Sequence, residues 1–401
     1  MTGENYKTNT MHNRHNTTSL INVILILTPF ILLSCGGESI VEETEAQVDK
    51  QDSFQSYQLD LKGESILFAD LIDNIEITRL EETKESLLAY VRQVEFIEDK
   101  MVIPSGDEGS IFVFSRTGEF LNKINRQGEG PEEYTRWADI WLENGVLAIH
   151  NFGVSVNRYD LEGNFISRDK LDRRASHLYP YKGGYALDKS LRYTQDSLQY
   201  SLVTLDSEMK LDKTFLPFAK FPGFQVTFSN NSLFSIEDDL FFFRMMSDTV
   251  YRIDTDTIVP YVHYDFQEDW YFQPDIEVSN AVFSEADAKG QVWFMSNKIG
   301  PNYIYLSTSQ GEDFLIERKT GKSIRIDFRS MTDEKYQVSS VVWQGDVFLV
   351  SFQSTQLAEI LEQLDPSQYK FTQGSTLEEI ESSENPVLIR MKLKQPEDWN
   401  E

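Results

Sequence analysis

The chain has 401 residues, 40% hydrophobic and 13% aromatic, which is ample for a packed core and excludes global disorder. Its 65 acidic and 37 basic side chains leave a net charge of −28, which repels phosphate backbones and argues against nucleic acid as a partner. The single cysteine, Cys35, excludes an intrachain disulfide and a thiolate zinc site.

In chain order, the first element is residues 20–33, "LINVILILTPFILL", an apolar run the length of a signal-peptide core, preceded by Lys7 and Arg14. It contains Pro29 and falls short of the about 20 residues a spanning helix needs. It leads into "LLSCGG", where Leu32, Leu33, Ser34 and Cys35 resemble the lipobox of bacterial lipoproteins. The resemblance implies cleavage before Cys35 and acylation of its sulfur and amine, an anchor that exceeds the two signals stable membrane attachment requires. Residues 1–34 are therefore expected to be a lipoprotein signal peptide, with Met11 an alternative start to Met1. Residues 35–65 are expected to be the acylated cysteine and a flexible tether, with 36–58 polar and acidic in character.

From about residue 90 a repeat sets in. "SIFVFSRTGEFLNKI", "SVNRYDLEGNFISRDKL", "SLVTLDSEMKLDKTFLPF", "DTVYRIDTDTIVPYVHYDF" and "FLIERKTGKSIRIDF" each place a polar turn between two strand-like runs. The first four turns recur about every 45 residues, and two further short strands precede each pair. Four strands per period is the content of a propeller blade. A sixth unit begins with "VSSVVWQGDVFLVSF", is interrupted by a long insert with a helical stretch at 355–364, and resumes as "NPVLIRMKLK". Its fourth strand is missing, and "NIEITRLEE" (74–82) is the candidate to supply it and close the ring, removing exposed sheet edges. The expected fold is all-β: a six-bladed β-propeller over 66–395, with four-stranded antiparallel blades, an N-terminal closing strand and a short helical insert in the last blade.

"DNIEITRLEE", "IFVFSRTGEFLNKINRQGEGPEEY" and "ENPVLIRMKLK", in that order, resemble the six-bladed β-propeller lipoproteins of Gram-negative bacteria, related to the NHL-repeat proteins. The resemblance covers about 66–394. It implies a cell-envelope lipoprotein, in the outer membrane and facing the periplasm or the surface, and carries no agreed activity or ligand. Its most specific element is Gly128, Gly130, Pro131, Glu133 and Tyr134; Glu132 stands where the family often has glycine. The glycines are expected to permit backbone angles closed to other residues, Pro131 to fix one, and Tyr134 to pack beneath, making a structural corner between blades one and two.

With strands lettered a to d from the inside, the d-to-a and b-to-c connections emerge on one face, and the long connections of this chain all fall there. Long irregular connections are commonly functional. Arg126, Glu129, Arg192 and Arg244 lie at or beside them, as do Trp270, Tyr271 and Phe272. The arginines are expected to grip a carboxylate or sulfate and the aromatics to offer a stacking platform, giving a lipid-anchored scaffold for an envelope protein or a glycan. The rival reading is an envelope hydrolase or lyase with a metal in the central channel. No Walker, Gly-x-Ser-x-Gly or His-Glu-x-x-His motif is present, and "DTDT" (254–257) reads as a turn. His150, His177 and His263 stand apart in sequence and read as ordinary strand residues. No cofactor or metal is expected, the only membrane contact is through Cys35, and the protein is expected to be a monomer.

Overall fold

The computed structural model describes residues 53–399, apart from 106–108, 154, 191–198, 219–230, 274–278, 330–334 and 373–374. Cys35 and Arg192 lie outside the described residues. Among those described, no helix is long and apolar enough to cross a membrane.

Six radial sheets form a propeller. Blade 1 runs Glu95–Ile97, Lys100–Ser105, Ser110–Ser115 and Phe120–Ile124. Blade 2 runs Trp137–Glu143, Val146–Asn151, Ser155–Tyr159 and Phe165–Lys170. Blade 3 runs His177–Tyr181, Gly184–Asp188, Tyr200–Leu205 and Leu211–Pro217. Blade 4 runs Leu233–Ile236, Asp239–Phe243, Thr249–Ile253 and Ile258–Asp265. Blade 5 runs Met295–Ile299, Tyr303–Thr308, Asp313–Glu317 and Ser323–Asp327. Blade 6 takes Ser339–Gln344, Val347–Phe352 and Val387–Leu393 from the C-terminal part and Ile72–Arg79 from the N-terminal part.

Burial follows position in the blade. The second strands, such as "VLAIHN", "GYALD" and "VFLVSF", are buried almost throughout, because both of their faces pack against a neighbouring blade. Their sequences accordingly lack the polar alternation of a half-exposed strand. The outer strands "FISRDK" and "SIRID" keep polar side chains partly in water. The innermost strands are half-buried, because one edge faces the central channel. Six apolar clusters fill the six seams; the one joining blade 6 to blade 1 unites Leu388 and Leu349 with Leu80, Met101 and Phe114.

Closure is made by the expected segment. Ile72–Arg79 pairs antiparallel with Val387–Leu393, setting Ile77 opposite Ile389 and Ile75 opposite Met391. Two features go beyond the repeat pattern. Blades 4, 5 and 6 each carry a fifth, outer strand in parallel pairing: Gln55–Gln58, Ser65–Leu67 and Tyr369–Phe371. The propeller therefore starts within the stretch read as tether: Tyr57, Leu59 and Leu61 are buried in the seam between blades 4 and 5. Polar neighbours hide these three apolar residues in the sequence. The insert of blade 6 is helical as expected, with Leu357–Glu362 and Leu377–Glu381. A further helix, Val282–Lys289, fills the connection from blade 4 to blade 5.

Candidate functional site

The Gly-Pro corner is a packed joint. Tyr134 is fully buried; its hydroxyl donates to the Gly109 carbonyl at 2.6 Å and accepts from the Arg126 N–H at 3.2 Å. Its ring meets Tyr159 edge-on at 6.0 Å. Blade 2 grips the Glu133 carbonyl through Asn157 Nδ2 (3.1 Å) and the Arg168 guanidinium. The glycines serve a different purpose from the expected one. Neither Gly128 nor Gly130 has a left-handed φ. A Cβ on Gly128 would lie 1.9 Å from the Glu133 carboxylate, which accepts the Gly130 N–H at 2.8 Å. The corner needs missing side-chain volume rather than unusual backbone angles.

Among the described residues expected to form a binding face, Arg126 and Arg244 belong to different blades, and Trp270 and Tyr271 are covered. Arg126 lies at the outer rim and donates from Nε to the Gly163 carbonyl of the next blade at 2.8 Å. Arg244, half-buried in the b-to-c connection of blade 4, sits across the ring, and its buried Nε has no acceptor among the described residues. Glu129 is exposed. Trp270 and Tyr271 are 5% and 2% exposed, so neither is a platform. Trp270 packs in the seam between blades 4 and 5, and Tyr271 under the helix Val282–Lys289, bonding Glu285 at 2.9 Å. Phe272 packs edge-on against both. The physical reason is that an apolar triplet in a long connection is covered when the connection folds its own helix over it.

Two polar groupings invisible in the linear sequence appear instead. The first lies at the long-connection end of the blade 2–blade 3 seam. Asp139, on the first strand of blade 2, receives His150 Nδ1 at 2.8 Å, His177 Nδ1 at 2.7 Å and the Leu178 N–H at 2.9 Å. The Gly153 N–H donates to His150 Nε2 at 3.2 Å, which fixes the His150 proton on Nδ1, toward the carboxylate. Burial pushes the Asp139 carboxyl up, but the His177 charge and the hydrogen bonds from both imidazoles outweigh it and bring it to about 2. With one hub joining strands of two blades, this is a structural lock; the two histidines read as unrelated share one carboxylate.

The second grouping lines the channel nearer the short-turn end. Glu95, Tyr179, Ser235 and Lys298 stand on the innermost strands of blades 1, 3, 4 and 5. Tyr179 and Ser235 share a hydrogen bond of 2.9 Å, and Gln93 donates to Glu95 at 2.9 Å. The charge of Glu95 is felt at both Lys298 and Tyr179. Blade 6 separates blade 5 from blade 1, and blade 2 separates blade 1 from blade 3, so these couplings run across the channel. Burial pulls the Lys298 ammonium down to about 8 against the attraction of Glu95. Burial also pushes the Glu95 carboxyl up, only partly countered by Gln93 and Lys298. Among the described residues, no group of three or more His, Cys, Asp or Glu side chains is arranged to hold a metal.

The fold is shared with solved structures of low sequence similarity. A Bacteroides fragilis protein named as exported is 14% identical, with a TM-score of 0.69 over 86% of this chain and 100% of that one. A member of the DUF4221 family from Bacteroides vulgatus is 11% identical, with a TM-score of 0.47 over 81% of this chain and 98% of that one. BamB from Moraxella catarrhalis is also 11% identical, with a TM-score of 0.37 over 69% and 75%. The first of these supports the propeller; the other two are too distant in shape to add to it. No curated protein matches the sequence significantly. The family described as "Domain of unknown function (DUF4934)" matches residues 56–392, nearly the whole propeller including its N-terminal outer strand, and the chain belongs to that family.

Proposed function

We propose that this protein is an outer-membrane lipoprotein held by acylated Cys35, and that its propeller is a binding scaffold presenting the long-connection face to an envelope protein or a glycan. The observation that carries the reading is the asymmetry of the two faces. The a-to-b turns are as short as Asn144–Gly145, Lys182–Gly183 and Gly345–Asp346, whereas the opposite face collects connections such as 80–94, 125–136, 266–294 and 353–386. Apolar side chains stand in water on that face: Leu87 is 48% exposed and Phe152 39% exposed, the latter beneath the Arg136 guanidinium at 5.7 Å. Exposed apolar groups rimmed by charge suit a protein contact. The exported name of the Bacteroides fragilis structure agrees with an envelope location.

The anchor is tested by Cys35→Ser, which is expected to abolish labelling by a fatty-acid analogue and to move the protein to the soluble fraction. Persistent labelling would remove Cys35 as the acylation site. The face is tested by cross-linking in the native membrane. Leu87→Ser with Phe152→Ser should reduce capture of the partner at least tenfold, while Asn144→Ser and Asp346→Ser on the short-turn face should leave it unchanged. The reverse pattern overturns the assignment of the face.

A further inference from the structure

One histidine of the Asp139 hub also holds a surface turn. His150 stands near the end of the second strand of blade 2 and is fully buried. Its Nδ1 proton goes to Asp139 at 2.8 Å, and its Nε2 lone pair takes the Gly153 N–H at 3.2 Å. Gly153 belongs to the b-to-c turn of blade 2, on the long-connection face. The same turn carries Phe152, 39% exposed, with the Arg136 guanidinium 5.7 Å from its ring. Ahead of Gly153 the turn is tied down: the Phe152 N–H donates to the Arg136 carbonyl at 2.8 Å, and the Asn151 side chain accepts the Thr135 N–H at 3.2 Å. At Gly153 itself the His150 ring is the acceptor.

An imidazole in this arrangement has no room for a second proton. Protonation puts a hydrogen on Nε2 facing the Gly153 N–H, two donors with no acceptor between them. Its charge would also lack a counter-charge of its own. Asp139 is shared with His177 Nδ1 at 2.7 Å and the Leu178 N–H at 2.9 Å. Asp188, opposite His177 in the blade 3 sheet, is turned toward the hydroxyls of Ser190 and Ser232. The remaining charges beside the turn are cations: Arg174, whose stem lies against Gly153, and Arg136. A buried charge and an unmet buried donor are both costly, whereas opening the turn gives up one hydrogen bond and lets water reach the ring. The hub itself persists in mild acid, because the two imidazoles hold the Asp139 carboxyl down at about 2. We propose that the His150–Gly153 contact is a pH-operated latch: as the pH falls below neutrality, a proton on His150 Nε2 displaces the Gly153 N–H and opens the turn that carries Phe152, while the blades stay closed. The open turn holds one proton more than the closed one, so below about pH 6.5, where a solvated imidazole is protonated, the opening equilibrium gains about tenfold per pH unit.

The test is hydrogen exchange on the full-length protein in detergent between pH 7.5 and pH 5, read as protection factors so that the intrinsic pH dependence of exchange is removed. Protection of the Gly153 amide is expected to fall about tenfold per pH unit below about pH 6.5, while the amides of Leu147, Ile149 and Leu178 keep theirs. His150→Gln, whose side chain does not titrate, should make Gly153 protection independent of pH, and His177→Gln should leave the fall in place; thermal melts confirm that both variants are folded. Ring-nitrogen NMR of the parent with 15N-labelled histidine, which needs no variant, should show His150 neutral with its proton on Nδ1 at pH 7.5. The proposal is overturned if Gly153 protection is flat over this range, or if it falls only in step with Leu147 and Ile149. It is also overturned if folded His150→Gln keeps the fall, if folded His177→Gln abolishes it, or if the parent His150 ring already carries both protons at pH 7.5. The latch works within one chain and needs no partner, so failure of partner capture by the long-connection face leaves it standing.

Discussion

Tyr134 and Gly128 occupy the same corner but are constrained for different reasons, and their substitutions should separate. Tyr134→Phe leaves the Gly109 carbonyl unmet in a buried place and is expected to cost about 1–3 kcal/mol. Gly128→Ala meets only the mobile end of Glu133, which can swing aside and lose its bond to Gly130; about 1 kcal/mol is expected. Urea denaturation should rank Tyr134→Phe below Gly128→Ala in stability, and the opposite ranking would show that the corner depends on backbone shape. Asp139 belongs to a costlier class. Asp139→Ala strands two imidazoles and a backbone N–H in the seam, and a loss of about 3–5 kcal/mol is expected. Since its carboxyl lies below its ordinary value in the fold, its contribution is complete above about pH 4 and fades as acid approaches pH 2. The parent should therefore lose stability between those values more steeply than Asp139→Ala.

Among the elements, the outer strand Gln55–Gln58 rests in part on a titratable pair. Ser56 Oγ lies 2.8 Å from His263 Nδ1, and His263 Nε2 lies 3.4 Å from Asp248. The Asp248 hydrogen bond raises the His263 pKa, and it lowers the Asp248 pKa despite the upward push of burial. A raised histidine stabilises below about pH 6.5 and loses its contribution as pH rises through its folded value. A lowered aspartate stabilises above about pH 4 and fails in acid. The pairing is complete between the two. The Leu59 N–H, bonded to the Asp265 carbonyl, should show a larger hydrogen-exchange protection factor at pH 5.5 than at pH 8, and His263→Gln should erase the difference. The hairpin of blade 1 is stricter still. Gly118 has φ +92°, and a Cβ there would lie 1.8 Å from the Arg79 carbonyl at the end of the closing strand. Gly118→Ala is strained in φ and blocked by backbone that cannot yield, so it should lower the melting temperature more than Gly128→Ala does.

The ring as a whole is a sum of seams between neighbours, so the cost of a deletion depends on how many seams it opens. Removing 72–82 unpairs Val387–Leu393 and strips Ile72, Ile75, Ile77 and Leu80 from the seams on either side of blade 6. Removing 53–61 takes Tyr57, Leu59 and Leu61 from one seam, while 36–52 lies outside the described residues and in the stretch expected to be tether. Melting temperatures should fall in that order: most for 72–82, less for 53–61, and not at all for 36–52. Equal losses for 72–82 and 53–61 would contradict the closing role of Ile72–Arg79.

The blades were legible in the residues because each needs an apolar inner strand and a polar turn, and both requirements repeat locally. Glycine in the turns at 118, 163 and 321 takes a positive φ that marks each hairpin from sequence. The closing strand was legible by subtraction, since one strand was missing at one end and one was spare at the other. Short parallel strands such as Gln55–Gln58 have no period to betray them, and only pairing with Val262–Asp265 defines them. The polar groupings were illegible for a deeper reason. Asp139 and His177, or Tyr179 and Ser235, are far apart in the chain and become neighbours because six radial sheets turn sequence distance into position around a ring. Trp270 and Tyr271 show the converse: composition offered them as surface, and a helix folded over the connection made them core. Local patterns set which residues become strands, turns and blade interiors, because those choices depend on neighbours in sequence. Which charges face each other across the channel depends on the closure of the ring, which no local pattern encodes.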